Sequence, residues 1–152
     1  MANSHQLEVL KLGVYEWNLF VLDEGITTAD LAGANFAGEN LRRANLKGAS
    51  LTGANLSLAE LANADLAGAD LSGADLRDAS LNGADLHGAN LSGADLRRVK
   101  FTGADLTGAN LSGANLFGTD LRRATLTDAN LDDADLGEAK LPVTMQVVVD
   151  LA

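Results

Sequence analysis

A large apolar residue recurs at every fifth position of this chain, and that period excludes ordinary secondary structure. The series starts at Leu31 and ends at Leu141, passing through 23 consecutive positions that hold 21 Leu and two Phe. In an α-helix a five-residue step turns the side chain by about 140°, so the leucines would scatter around the axis. In a straight strand, residues an odd number apart lie on opposite faces, so alternate leucines would face water.

A chain that turns a corner after every five residues buries all of these leucines. An Ala lies two residues before the large residue in 20 of the 23 units, and residues two apart share a face of a short extended side. Gly occupies the second position after the large residue in 13 units, near the corner. Four sides close one coil of 20 residues, and stacked coils pair as parallel strands about 4.8 Å apart. Residues 29–143 therefore predict an all-β parallel solenoid of about six coils.

The repeating unit resembles that of a known family. Ala29-Asp30-Leu31-Ala32-Gly33 and Ala104-Asp105-Leu106-Thr107-Gly108 follow the pattern Ala-(Asp/Asn)-Leu-x-Gly. This pattern is similar to that of the pentapeptide-repeat proteins, a resemblance that covers about three quarters of the chain. It implies their fold, a right-handed quadrilateral β-helix, and suggests a bacterium, in particular a cyanobacterium, as the source. It says little about function, because members of the family do many different things.

The N-terminal end of such a solenoid needs a cap, because it exposes an apolar layer and an unpaired edge. Residues 1–28 are predicted to form this cap, with one amphipathic helix over residues 4–22 that starts at Asn3 with Gln6, or at Ser4 alone. The apolar residues at helical spacing are Leu7, Leu10, Val14, Trp17 and Val21. Gly13-Val14-Tyr15-Glu16-Trp17-Asn18 resembles segments that precede the repeats in many bacterial relatives. Trp17 is either a lid on the first coil or a partner site, and the lid is favoured.

The other end predicts a short terminal strand. The repeat breaks at Pro142, and residues 144–152 form a C-terminal segment in which Met145–Ala152 is rich in Val, including Val147 and Val149. This strand either covers the last coil or pairs with a second molecule, as in relatives that protect DNA gyrase and dimerise through their C-terminal ends. A monomer and a C-terminal homodimer both remain open.

Charge sorted by face gives the candidate binding residues. The chain carries 11 Lys and Arg against 21 Asp and Glu, and this net charge of −10 argues against direct binding to nucleic acid. Residues twenty apart fall on the same face, and the four faces of the repeat region carry net charges of −3, −4, −2 and +3. The candidates for partner binding are an acidic column, Asp65, Asp85 and Asp105, and a basic group, Arg97, Arg98, Lys100, Arg122 and Arg123. For both sets a solubilising role, with screening of the arginines by Asp95 and Asp120, is the simpler interpretation.

Catalysis finds no support in the sequence. The chain has no Cys, and the serines are repeat positions with no base beside them, so no nucleophile, metal site or cofactor site is indicated. No membrane span and no signal pattern are recognisable, which predicts a cytoplasmic protein. The favoured function is a non-enzymatic scaffold or interaction module that binds another protein through a rigid face.

The alternative function is a dimeric mimic of duplex DNA that binds or protects DNA gyrase, as the resemblance suggests. Duplex DNA carries about one charge per 1.7 Å. The net charge of −6 over the repeats gives only one charge per roughly 4.5 Å of solenoid, with the height taken from the strand spacing. The face of charge +3 interrupts the acidic surface, which weakens this alternative.

Overall fold

The computed structural model describes residues 2–145 and shows a four-sided solenoid. Single residues pair in parallel with the residue twenty positions later, beginning at Asp30 with Ser50 and ending at Asp120 with Lys140. Four such pairs occur in every 20 residues, so each coil has four sides. The sides are short, since the pairing involves one residue per side and nowhere in residues 2–145 extends into a longer strand.

A β-turn at each corner explains the short sides. In the first unit the amide of Ala34 donates to the carbonyl of Leu31 at 3.1 Å, and Gly33, the third residue of the turn, has a φ of +68°. A positive φ at this position is typical of Gly because a Cβ is strained there. Nine units nevertheless place another residue in the same conformation, with φ between 56° and 61°: Arg43, Leu58, Asn63, Asp78, Arg98, Arg123, Asp128, Asp133 and Glu138.

Leucine and alanine fill the axis of the solenoid, as the sequence predicts. The large residues from Leu31 to Leu121 are at most 3% exposed, and wherever an Ala lies two positions before one of them, that Ala is buried too. Backbone bonds tie the coils together; for example, the amide of Leu31 donates to the carbonyl of Ser50 at 2.8 Å. Two of the three residues that replace Ala in this pattern differ in their burial. Thr119 is buried and donates to the carbonyl of Leu96 at 2.9 Å, whereas Glu39 is exposed to solvent.

Two helices, and not the single predicted one, cover the first coil. Helix α1 spans Ser4–Leu12 and helix α2 spans Val14–Asp23. They are separated by Gly13, whose φ of 144° is incompatible with a continuous helix. The side chain of Asn3 accepts from the amides of His5 and Gln6 and so caps the start of α1.

Side chains of the cap satisfy the open edge of the first coil. Trp17 is fully buried, and its Nε1 donates to the carbonyl of Asn45 at 2.7 Å. The Asn18 amide accepts from the Asn45 amide at 2.8 Å and donates to the carbonyl of Arg43 at 3.0 Å. Gln6 accepts from the amide of Asp30 at 2.8 Å. The cap therefore supplies both apolar cover and hydrogen-bond partners to this end of the solenoid.

The C-terminal end is less covered within the described residues. The large residues of the last coil are only partly buried; they are Leu126, Leu131, Leu136 and Leu141. Residues 143–145 are helical, so the strand predicted from Met145 onward is wrong at its first residue. The remainder of that strand, including Val147 and Val149, lies outside the described residues. Within residues 2–145, no helix is long and apolar enough to cross a bilayer.

Candidate functional site

The acidic column is formed as its 20-residue spacing predicts. Asp65 pairs through its backbone with Asp85, and Asp85 pairs with Asp105, so the three carboxylates lie on consecutive coils of one face. His87 extends this surface, because its Nδ1 lies 2.8 Å from Oδ1 of Asp85. Hydrogen bonds from the side chain and amide of Thr107 lower the pKa of Asp105 below its usual value. This carboxylate is therefore ionised at neutral pH.

Each carboxylate of the column also has a local structural role. Oδ1 of Asp65 accepts from the amide of Ala67 at 3.0 Å, and Asp105 accepts from the amide of Thr107 at 2.9 Å. Every other Asp and Asn at the position before the large residue accepts in the same way from the amide two residues on. The acceptor stabilises the corner turn, so Asp and Asn are equivalent there as far as the fold is concerned. Much of the negative charge follows from this turn requirement.

The basic group is largely neutralised by carboxylates. Arg97 makes a two-pronged contact with Asp95, its Nε and Nη2 lying 2.8 and 2.6 Å from the two carboxylate oxygens. Arg122 contacts Asp120 in the same way at 2.9 and 2.7 Å. Hydrogen bonds from these guanidinium groups are the main cause that lowers the pKa values of Asp95 and Asp120. The pairing with Asp95 and Asp120 agrees with the screening expected from the sequence.

Arg98 has a partner that adjacency in sequence does not reveal. Its Nε and Nη2 each lie 2.7 Å from an oxygen of Asp78, which precedes it by twenty residues and therefore lies one coil away. Arg77 likewise reaches Asp95 of the next coil at 3.7 Å while it binds Asp75. A 20-residue offset is the signal that would have identified the Arg98–Asp78 pair, and an offset of 18 residues would have identified the pair of Arg77 with Asp95.

Two cations of the basic group make no ion pair with any residue among 2–145: Lys100 and Arg123. Arg123 borders an open depression of about 460 Å³ next to the last coil. Its lining comprises Thr102, Arg122, Arg123, Leu141, Pro142 and Val143. Apolar and cationic groups thus meet at one corner of the basic face, next to the C-terminal end.

The described residues do not bring together the groups needed for metal binding. Among residues 2–145 no cluster of three or more His, Asp or Glu side chains is arranged to hold an ion. The acidic column is a ladder of single carboxylates on successive coils, with each Oδ1 already engaged by a turn amide. The geometry offers charged and hydrogen-bonding faces for contact with another molecule.

Comparison with known proteins identifies the family. The model of the pentapeptide repeats matches eight copies, over residues 27–61, 59–98, 79–116 and 104–141. The chain therefore belongs to the pentapeptide-repeat family. A comparison with curated proteins returned no match.

Several solved structures of this family are similar to the chain. Rfr23 from the cyanobacterium Cyanothece 51142 is 31% identical over 82% of this chain and 92% of its own, with a TM-score of 0.48. HetL, involved in heterocyst differentiation regulation in the cyanobacterium Nostoc sp. strain PCC 7120, is 40% identical over 76% of this chain and 62% of its own, with a TM-score of 0.39. A pentapeptide-repeat protein of the Arabidopsis thaliana thylakoid lumen is 31% identical over 84% of this chain and 77% of its own, with a TM-score of 0.42.

Proposed function

We propose that this protein is a non-enzymatic interaction module that presents rigid charged faces to another protein. The observation that carries the proposal is the segregation of charge on an uninterrupted solenoid. The ladder of Asp65, Asp85 and Asp105 lies on one face, and Lys100 and Arg123, which make no ion pair within residues 2–145, lie on another. Family membership supports the proposal, since pentapeptide-repeat proteins are generally structural or interaction modules. It also supports the right-handed sense of the coil that we infer for this chain.

Rigidity makes these faces suitable for binding. Each side chain on a face is held one coil from its neighbour by backbone hydrogen bonds of 2.7–3.3 Å, so little conformational freedom is lost when a partner docks. The partner that fits the acidic column is a protein surface with cations spaced at about 4.8 Å or its multiples. The attraction is electrostatic and hence sensitive to salt.

A variant that removes the charge and keeps the fold tests this function. Asp65, Asp85 and Asp105 are changed together to Asn, which retains the acceptor of each corner turn. Immobilised wild type and triple variant are then used to capture proteins from a lysate of the source organism at low and high salt. A partner bound by wild type and lost with both the triple variant and high salt supports the proposal. Identical sets of captured proteins contradict a role for the acidic column.

The same acidic column favours one second candidate, a mimic of duplex DNA acting on DNA gyrase. The adjoining face of Asp30, Asp70, Asp132 and Asp133 widens the acidic surface, although the arginine pairs interrupt it on the remaining sides. A supercoiling assay with purified gyrase distinguishes the candidates. The mimic requires that micromolar wild-type protein change gyrase activity or its inhibitor sensitivity and that the Asn triple variant do so less. Unchanged gyrase activity excludes it and leaves the interaction module.

A further inference from the structure

The outer face of the N-terminal cap carries an apolar stripe that the solenoid does not use. Tyr15, Leu19 and Leu22 of α2 are 73%, 43% and 75% exposed, and Leu12 at the end of α1 is 74% exposed. The three residues of α2 follow an i, i+4, i+7 spacing and therefore lie on one side of the helix. Elsewhere on the coils, exposed large apolar residues such as Leu58 and Phe117 occur singly. The cap thus concentrates the exposed apolar surface of the described molecule.

The side of α2 that is turned towards the coils already anchors the helix. Trp17 and Val21 are buried against the coils, and Asn18 binds the backbone of the first coil through both amide atoms. The stripe of Tyr15, Leu19 and Leu22 is consequently held rigidly and is not required to cover the core. A helix with apolar residues on both sides is expected where a second element packs on the outside.

The charges beside the stripe indicate which kind of partner would pack on it. Glu16 and Asp23 lie within about 60° of Leu19 around the helix axis, and α2 contains no Lys or Arg. Neither carboxylate forms an ion pair within residues 2–145. A second copy of this surface would bring the same carboxylates together, and an anionic lipid surface would repel them. A helix with an apolar face and basic flanks complements both the stripe and its rim.

We propose that the Tyr15–Leu19–Leu22 stripe is a docking surface for a basic amphipathic helix of another protein. Such a helix packs along the three-turn length of α2, about 15 Å, with its apolar residues between these side chains and its Lys or Arg beside Glu16 and Asp23. This surface lies on the cap, separate from the acidic column. Its occupation does not depend on the charged faces of the coils.

Binding of designed peptides to the full chain tests the proposal. The probe is an 18-residue amphipathic helix with leucines on one face and lysines on both flanks, and the matched control peptide carries glutamates in place of the lysines. Calorimetric titration is expected to show binding of the lysine-flanked peptide, weakened at least about tenfold when Tyr15 and Leu22 are both changed to Ser. Leu58→Ser, which removes a single exposed leucine from a coil, is expected to leave the affinity unchanged.

Further variants test whether the peptide binds to this surface or to any acidic part of the protein. The triple Asn variant of Asp65, Asp85 and Asp105 is expected to bind the lysine-flanked peptide as wild type does; loss of binding in that variant would place the peptide on the coils and overturn the proposal. Absence of binding, equal binding of the glutamate-flanked peptide, or unchanged affinity in the Tyr15/Leu22 variant also overturns it. So does a homodimer in light scattering, or binding to phosphatidylglycerol vesicles, that disappears in the Tyr15/Leu22 variant.

Discussion

At the scale of single residues, the repeat is explained by the turn at each corner as much as by the core. The preference for Asp or Asn before each Leu has a cause in the structure, since the side-chain oxygen accepts from the amide two residues on. Either residue supplies that oxygen at the same distance from the backbone, whereas Glu has an additional methylene group. The single Glu at this position in the repeats, Glu60, pairs with Arg42 at 3.0 Å.

Substitutions at Asp105 separate the turn acceptor from the charge. Asp105→Ala removes the acceptor of the Thr107 amide and is expected to lower the free energy of unfolding by about 1 kcal/mol. Asp105→Asn retains the acceptor and is expected to change stability by less than about half that amount, because the residue is exposed at the surface. Urea unfolding followed by circular dichroism measures both values. Equal destabilisation by the two substitutions would mean that the charge, and not the turn, is what Asp105 contributes.

Leu58 has a backbone conformation that does not suit its side chain. It is 63% exposed and has a φ of 61° at the turn position that Gly usually occupies. Leu58→Gly is expected to stabilise the protein by about 1 kcal/mol, since the strain of a Cβ in this region exceeds the entropic cost of Gly. Leu58→Ala is the matched control, because it shortens the side chain and keeps the Cβ. A gain of stability with Ala as large as that with Gly would show that exposure of the leucine, and not backbone strain, is the cause.

At the scale of elements, the coils follow from the sequence and the ends do so only in part. The five-residue period of Leu and the Ala two positions earlier define the buried face at every unit, because only one path turns all of them inward. The break between α1 and α2 could not be derived from the helical spacing of the buried apolar residues alone. That spacing continues from Leu10 through Val14 and Trp17, whereas the interruption depends on the backbone of Gly13. The sequence does not show which carbonyl and which amide Asn18 binds, because this depends on how the cap lies on the first coil.

Asn18 is expected to hold the cap on the first coil. It accepts from the amide of Asn45 and donates to the carbonyl of Arg43, so only an amide side chain satisfies both. Asn18→Asp keeps the acceptor but places a carboxylate oxygen against the Arg43 carbonyl, and it is expected to cost about 1–3 kcal/mol. Hydrogen exchange of the Asn45 amide, with thermal unfolding, measures the effect.

Asn3→Ala is a useful comparison for Asn18→Asp, because it removes the cap of α1 at a site remote from Asn45. It is expected to lower stability by about 1 kcal/mol without opening the Asn45 amide selectively. Unchanged protection of the Asn45 amide from hydrogen exchange in Asn18→Asp would contradict this role of Asn18.

At the scale of the whole molecule, charge is distributed as paired and unpaired columns on a rigid prism. Two of the arginine–aspartate contacts connect neighbouring coils, between Arg98 and Asp78 and between Arg77 and Asp95. Within residues 2–145 the acidic column forms no ion pair with Lys or Arg, and only His87 lies against Asp85. The net charge of −10 therefore overstates the acidity of some faces and understates that of others. The sequence order alone predicts which residues share a face; the contacts between coils decide which charges remain available.

Acid is expected to destabilise the protein through a defined set of carboxyl groups. Hydrogen bonds from neighbouring side chains and amides lower the pKa values of six Asp residues below the ordinary value of an aspartate: Asp70, Asp75, Asp78, Asp95, Asp105 and Asp120. A carboxyl group whose pKa is lower in the folded than in the unfolded state stabilises the fold above the unfolded value and loses that contribution as pH falls through the folded value. The free energy of unfolding is therefore expected to be nearly level from about pH 7 to pH 5 and to fall from about pH 4 towards pH 2.

Unfolding in urea across this pH range, at fixed ionic strength, measures the dependence. The double variant Asp95→Asn/Asp120→Asn retains both turn acceptors and removes two of the carboxylates paired with arginine. It is expected to be less stable than wild type at pH 7 and to show a shallower decline on acidification, so that the two proteins converge near pH 2. Parallel curves would mean that these ion pairs carry no net stability. A stability that rises on acidification would mean that repulsion among the unpaired carboxylates outweighs the pairs, and would make the acidic column a source of strain that a bound cationic partner relieves.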